Sequence, residues 1–245
     1  MRALLRDTVR ESYSKLFASL YSRFRDIELV EDGIQDALER AMVKWEEPPR
    51  DPLAWLYVAA RNRIVDILKR ESRQATEFVA EVHGGQIPGI EVNVLDEQLR
   101  LMCLCCHPAL GERVQILLTL KLVAGLTTDE IASALIAKPK AVSQALTRAR
   151  TKIKRAGIPF ETPDQTHLPE RLEAIRKIIY LMFNEGYHSN SNHTLYRIDL
   201  CNESVRLARL LVAFGDGDPT SNALLALLLY QNSRSGARET VSGEP

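Results

Sequence analysis

Long hydrophobic runs are absent from this 245-residue sequence. No apolar stretch approaches the roughly 20 residues that a membrane-spanning helix needs, so membrane insertion is not expected. The first ten residues alternate charged side chains with leucine, which is not the pattern of a secretory signal. Only four cysteines occur, and three of them lie within Cys103–Cys106, which is not the spacing of a disulfide framework. The sequence therefore predicts a protein of the reducing cytoplasm.

An excess of charge of either sign is also lacking, because 32 basic residues balance 32 acidic ones. The distribution along the chain is nevertheless uneven. Residues 138–155 include seven lysines and arginines and no acidic residue, whereas residues 26–39 include six acidic residues and no basic one. We therefore expect one surface to attract phosphate and another to attract a basic protein partner.

Sustained alternation of polar and apolar residues, typical of β-strands, does not occur, and apolar residues recur with helical spacing. The sequence thus predicts an all-α protein in which Asp26 and Asp51 cap the second and third helices. Prolines, glycines and losses of periodicity divide it into four segments. These are a helical domain over residues 1–73, a flexible linker over 74–95, a second helical domain over 96–157 and a C-terminal helical extension over 158–245. In the extension, helices are predicted near residues 170–185, 194–214 and 219–233.

The strongest local motif is a helix-turn-helix between Thr127 and Arg155. Thr127 and Glu130 have the spacing of a capping box, which begins a short helix. Pro139 suits the first turn of the following helix. The apolar face of that second helix is formed by Val142, Ala145, Leu146, Ala149 and Ile153. Its opposite, polar face is predicted to lie on DNA.

That polar face offers both base-reading and phosphate-binding side chains. In helix-turn-helix proteins the N-terminal part of the second helix reaches base edges, and basic residues further along contact phosphates. Gln144 is suited to adenine and Arg148 to guanine. The predicted contact set is Lys140, Ser143, Gln144, Thr147, Arg148, Arg150 and Lys152. A solvated amphipathic helix is the alternative, but such surfaces normally mix acidic and basic residues.

Motifs along most of the chain resemble those of the extracytoplasmic-function sigma factors, bacterial subunits that bring RNA polymerase to promoters. In the first domain they are residues 24–26 (FRD), 30–37 (VEDGIQDA), Trp45 and 54–66 (AWLYVAARNRIVD). In the second they run from residues 117–120 (LLTL) through the helix-turn-helix. Residues 156–160 (AGIPF), 168–172 (LPERL) and 183–187 (FNEGY) resemble a subgroup with a C-terminal extension of tetratricopeptide-like helices.

The resemblance implies a sigma region 2 bundle, a region 4 domain and three contact surfaces. Docking of the second helix on the β′ coiled coil of core polymerase is implied for Glu28, Asp32, Gln35 and Asp36. Reading of the −10 promoter element by the third helix is implied for Trp55, Arg61, Asn62, Arg63, Lys69 and Arg70. The helix-turn-helix would hold the −35 element, with the β flap as a further polymerase contact. Catalytic residues, a cofactor and a metal are not expected in such a bacterial cytoplasmic factor.

Several alternatives stay open on the sequence alone. The protein could be a stand-alone helix-turn-helix regulator that needs no polymerase. Trp55 is equally suited to stacking on an unpaired base and to filling a gap at the domain edge. The extension is a candidate intramolecular regulator, and members of the subgroup usually continue beyond this length, which suggests a truncated chain.

Two polar clusters invite other chemistry. The run from Cys103 to His107 suggests a metal or redox site, but its members lie within about one helical turn, and Cys201 and His83 are distant partners. Buried small side chains are the favoured interpretation. The segment 184–188 (NEGYH) suggests a catalytic cluster; the favoured interpretation is that Gly186 ends a helix in the left-handed conformation.

Overall fold

The computed structural model describes residues 2–71, 94–187, 194–214 and 218–234. These residues are helical almost throughout and include no strand, which confirms the predicted all-α class. The helices are α1 Arg2–Phe24, α2 Ile27–Lys44, α3 Pro52–Glu71, α4 Val94–Cys105, α5 Glu112–Leu118, α6 Thr128–Ala134, α7 Pro139–Ala156, α8 Leu168–Tyr187, α9 Thr194–Phe214 and α10 Pro219–Ser233. Of the predicted linker over 74–95, residues 74–93 lie outside the described residues, and the last two belong to α4.

The chain divides into two compact units after Gln98, inside α4. The first unit contains α1, α2, α3 and the start of α4. The second unit contains the rest of α4, the helix-turn-helix and the helices of the C-terminal extension. Within the described residues, no helix is both long enough and apolar enough to cross a membrane.

Local capping defines the helices of the first unit. Oδ1 of Asp26 accepts hydrogen bonds from the backbone N–H groups of Glu28 (3.1 Å) and Leu29 (3.2 Å). Oδ1 of Asp51 accepts one from the N–H of Ala54 (2.9 Å). Both predicted caps are therefore confirmed, and each satisfies N–H groups that have no partner inside the helix.

The core of the first unit lies where α1, α2 and α3 meet. In α1 the ring of Phe17 stacks between Tyr13 and Tyr21, with ring centroids 6.1 and 5.9 Å away. The other fully buried side chains of this core include Leu20, Val30, Ile34, Leu56, Ala60 and Ile64. Burial of this apolar surface orients α2 and α3, so their outward faces are held in fixed positions.

Gly33 lies where α2 packs closely on α3. A Cβ at this position would lie 2.6 Å from Cγ1 of Ile64 and 3.1 Å from the carbonyl oxygen of Ala60. The first distance is far shorter than a van der Waals contact, so a larger residue would push against α3. The absence of a side chain at Gly33 thus sets the spacing of the two helices that carry the predicted polymerase and −10 contacts.

We expect Gly33→Ala to lower the free energy of unfolding by about 1–3 kcal/mol, because overpacking outweighs the helix propensity that alanine gains. Thermal unfolding of the purified variant measures the loss. Gly111→Ala is the control for steric overlap, since a Cβ there meets no atom within 4 Å; it replaces the N-cap of α5 and should cost less than about 1 kcal/mol. Equal melting temperatures for the two variants would contradict this account of the α2–α3 contact.

Side-chain hydrogen bonds fix the start of α4 to α1. The Glu97 carboxylate accepts bonds from Oγ of Ser19 (2.6 Å) and of Ser22 (2.9 Å). Nε2 of Gln98 donates to Oγ of Ser14 (2.6 Å). Glu97 and Gln98 are buried, and burial of polar groups without such partners would be costly. The first unit therefore ends in the first turns of α4.

The helix-turn-helix forms as predicted. Oγ1 of Thr127 accepts from the N–H of Glu130 (3.2 Å), and the Glu130 carboxylate accepts from the N–H of Thr127 (2.8 Å). This reciprocal pair confirms the capping box at the start of α6. Pro139 lies in the first turn of α7, and Gly157, with φ +59°, ends α7 in the left-handed conformation. Ahead of the motif, α5 continues into a π-helical turn, Thr119–Val123.

The three helices of the extension pack on one another, and α8 and α9 also pack on α5 and α6 respectively. The helix predicted near 170–185 extends further in both directions, as Leu168–Tyr187. Gly186 lies inside this helix, so the prediction that it ends a helix in the left-handed conformation is wrong. The ring of Tyr187 stacks on the ring of Phe183, four residues earlier, with centroids 5.6 Å apart. This contact requires the last turn of α8 to stay helical.

Candidate nucleic-acid and protein interfaces

Helix α7 presents an apolar face inward and a basic face outward. The buried residues are Val142, Leu146, Ala149 and Ile153. Of the predicted −35 contact residues, the exposed ones are Lys140, Ser143, Gln144, Thr147, Arg148 and Lys152, and Arg150 is half-buried. Lys140, Gln144 and Arg148 follow one another at intervals of four, so they line one edge of the helix. This arrangement can place base-reading and phosphate-binding groups on one duplex.

Lys152 and Thr147 of this set have hydrogen-bond partners within the protein. Nζ of Lys152 donates to the backbone carbonyl of Ala109. Oγ1 of Thr147 donates to the carbonyl of Ser143, one turn earlier in α7 (3.1 Å). Lys152 therefore also holds α7 against the loop before α5.

The outward face of α2 is acidic. Glu28, Asp32 and Gln35 are exposed, as a docking surface requires. Asp36 differs, because its carboxylate pairs with Nε of Arg40 (2.5 Å) and Nε of Arg63 on α3 (3.4 Å) and its side chain is only 27% exposed. One predicted polymerase residue and one predicted −10 residue are thus paired with each other and join α2 to α3.

Two apolar residues at the end of α2 were not selected from the sequence. Met42 is 52% exposed and Val43 is 86% exposed. Met42 follows Gln35 by seven residues, so it lies on the same face as the acidic residues. The signal in the sequence that could have identified them is that two apolar residues directly follow the buried Ala41 and lie outside the periodic apolar stripe of α2. An acidic stripe with an apolar end matches the usual composition of a protein interface, in which apolar anchors accompany a polar rim.

The predicted −10 residues on α3 are unequally exposed. Asn62, Lys69 and Arg70 are exposed, whereas Trp55, Arg61 and Arg63 are half-buried. The ring of Trp55 meets Trp45 edge to face, with centroids 5.2 Å apart and planes 72° apart. Trp55 therefore packs at the domain edge while part of its ring stays accessible, and both roles considered for it remain compatible with this geometry.

The cysteine run lies inside the second unit. Cys103, Cys105 and Cys106 are free and buried. Burial raises the pKa of Cys103 to about 11 and that of Cys106 to about 12, and it also raises the pKa of Cys105. Such thiols stay protonated, which disfavours both metal binding and redox chemistry. In the part of the chain that the structure describes, no group of three or more histidine, cysteine or acidic side chains is arranged to hold a metal ion.

We expect these thiols in the native chain to react with iodoacetamide at pH 8 only as fast as the chain unfolds. A thiol with the pKa of Cys103, about 11, is ionised in roughly one molecule in a thousand at pH 8, and the thiolate is the reacting form. Mass spectrometry after timed alkylation measures the rate, with the denatured chain as the control. Equal rates for native and denatured chains would contradict the buried arrangement.

Three family models match the chain. Sigma-70 region 2 matches residues 8–74, Sigma-70 region 4 matches residues 100–153, and a family of unknown function (DUF6596) matches residues 171–245. The matches coincide with the α1–α3 bundle, the helix-turn-helix region and the C-terminal helices. The chain therefore contains sigma-70 region 2 and region 4 domains, followed by a C-terminal helical domain. This order of domains fits an extracytoplasmic-function sigma factor with a C-terminal extension.

Two relatives show how far the similarity extends. An uncharacterised protein of Rhizobium meliloti (strain 1021) is 38% identical over 235 residues, which is 92% of this chain and 56% of the relative. A probable ECF RNA polymerase sigma factor SigI of Mycobacterium tuberculosis (strain CDC 1551 / Oshkosh) is 26% identical over 149 residues, 58% of this chain and 51% of that protein. The chain spans about half the length of these curated relatives. No solved structure matches it.

Proposed function

We propose that the protein is a sigma factor that binds core RNA polymerase and directs promoter-specific initiation of transcription. The observation that carries the proposal is the presence of two outward surfaces of opposite charge, the acidic face of α2 and the basic face of α7. A basic face suits DNA, and an acidic one suits a basic protein partner. A protein that only binds DNA needs the basic face but not the acidic one.

In this proposal α7 holds the −35 element as a duplex in the major groove. Gln144 and Arg148 read bases, while Lys140 and Arg150 contact phosphates. The seven basic residues between 138 and 155 give this contact a strong salt dependence, because each phosphate contact releases a counterion.

The −10 element is assigned to α3. Asn62, Lys69 and Arg70 face outward on this helix, and part of the Trp55 ring is accessible. Basic side chains follow the backbone of a single strand, and an aromatic ring stacks on an unpaired base. Since Arg63 pairs with Asp36, its proposed contribution is to hold α3 in place on α2 as well as to contact DNA.

The proposed protein partner is the β′ coiled coil of core polymerase, contacted by Glu28, Asp32 and Gln35. A second contact with the β flap is proposed for the helix-turn-helix domain. With these partners the site of action is the bacterial cytoplasm. The protein supplies affinity and base preference, so no catalytic step and no cofactor are assigned to it.

A stand-alone regulator of duplex operators is the second candidate function. The basic face of α7 favours it as much as it favours the first. Core polymerase separates the two: the chain is added to core enzyme on pooled genomic fragments, and the 5′ ends of the transcripts are sequenced. We expect start sites that share two spaced elements and that core enzyme alone does not use. Duplex binding without such start sites would contradict the sigma proposal.

A further inference from the structure

The turn of the helix-turn-helix contains a residue in an unusual conformation. Helix α6 ends in a Schellman motif, in which the N–H of Ala137 donates to the carbonyl of Ala132 (2.8 Å) and the N–H of Ile136 to that of Ser133 (3.3 Å). The residue at the left-handed position of this motif is usually glycine. Here it is Ile136, with φ +49°. A β-branched residue is strained in that conformation, since its Cβ crowds the backbone.

The side chain of Ile136 does not offset this strain within the protein. It is 79% exposed, so it buries little apolar surface in the core. The residue is therefore unfavourable in two independent ways: its backbone is strained and its apolar side chain faces water. Residues of this kind occur where function uses them, which makes the turn a candidate contact.

The surroundings of Ile136 indicate what it contacts. Lys138 and Lys140 lie two and four residues after it, both are exposed, and no acidic residue occurs between 138 and 155. This charge complements a polyanion. On a duplex, the apolar atoms within reach of an isoleucine are deoxyribose carbons and the 5-methyl group of thymine.

We propose that Ile136 is a contact residue for the upstream promoter duplex, packing on apolar atoms of the DNA beside the start of α7. This inference rests on the proposed function of α7 as the duplex-binding helix. In the free protein Ile136 lowers stability, and in the complex its side chain becomes buried and contributes affinity and base preference.

The test uses the full chain assembled with core polymerase and duplexes randomised across the upstream element. Ile136→Gly keeps the turn and removes both strain and side chain, and Ile136→Asn keeps a residue that tolerates the left-handed conformation but is polar. We expect the glycine variant to melt about 2–4 °C higher. We expect both variants to retain selected duplexes about tenfold less well, because the apolar contact is lost. Arg25→Gly is the control, since Arg25 also has a positive φ (56°) but lies in the first unit.

Replacing thymidine by deoxyuridine in the selected duplexes identifies the contacted atoms. A loss of retention at one position, seen for the wild type and not for Ile136→Gly, assigns the thymine methyl group; no loss at any position assigns deoxyribose. Unchanged retention and preference in both variants would overturn the inference and leave the proposed function intact. A wild-type assembly that selects no upstream sequence would overturn both. A lower melting temperature for Ile136→Gly would show that the backbone at Ile136 is not strained, and the inference would lose its basis.

Discussion

A chain that ends at Pro159 is expected to lose promoter-directed transcription by at least about a hundredfold, because the extension completes the helix-turn-helix domain. α8 and α9 pack on α5 and α6. Phe160, directly after the cut, is buried. Its removal, together with that of the helices, would leave apolar surface of the second unit in water. Transcription with core polymerase measures the loss, and circular dichroism shows whether the shortened chain still unfolds cooperatively.

We expect the second unit to depend on the extension largely through two arginines. Nη1 of Arg171 donates to the carbonyl of Cys103 near the end of α4 (2.6 Å), and Nη2 of Arg206 donates to the carbonyl of Val123 at the end of the π-helical turn (3.5 Å). Carbonyls at helix C-termini have no partner inside the helix, and cationic side chains satisfy them well. The exposed pair of Lys177 with Glu112 (2.6 Å) adds little by comparison.

Point variants help to show whether the extension stabilises the second unit or instead covers its DNA-binding surface. Arg171→Ala in the full chain should lower the free energy of unfolding by about 1.5–3 kcal/mol, and Lys177→Ala, the matched control, by less than about 1 kcal/mol. The extension packs on α5 and α6, while the outward face of α7 stays exposed. Transcription that rises on truncation would show instead that the extension holds the DNA-binding surface closed.

Much of the fold was predictable because it depends on near neighbours. The caps at Asp26 and Asp51 and the capping box at Thr127 each involve residues within four positions of one another, and the structure confirms them. Gly186 was predicted wrongly although the deciding contact is also local. The stacking of Tyr187 on Phe183 keeps the end of α8 helical, and this contact outweighs the preference of glycine for a helix end.

The candidate interfaces were predictable in outline, because solvent-facing charge follows helical periodicity. Pairings between side chains of different helices were not predictable. The sequence does not reveal that Asp36 reaches Arg63, that Lys152 reaches the carbonyl of Ala109 or that Arg171 reaches that of Cys103, since each depends on how helices pack. The left-handed conformation of Ile136 was hidden as well, because isoleucine is not a residue from which it is expected.

The exposed face of α2 should be the site at which one substitution has the largest effect on polymerase binding. We expect Asp32→Lys to weaken binding to core polymerase by about 30- to 100-fold, because it replaces an exposed carboxylate with an ammonium group opposite a basic partner. Met42→Asp should weaken it to a similar degree by removing an apolar anchor. Competition with a labelled sigma factor for core enzyme measures both. Glu173→Lys, an exposed charge reversal on α8, is the matched control.

Asp36 provides a second test of the docking surface, because the sequence predicts a polymerase contact for it whereas the structure pairs it with two arginines. If it contacts polymerase, Asp36→Asn should weaken core binding without changing the melting temperature. Its pairs with Arg40 and Arg63 lead us to expect the reverse: about 1–2 kcal/mol less stability of the first unit and nearly unchanged core binding at a temperature where it stays folded. If Asp32→Lys bound core enzyme as tightly as the wild type, the acidic face of α2 would not be the docking surface, and the basic face of α7 alone would support only the stand-alone regulator.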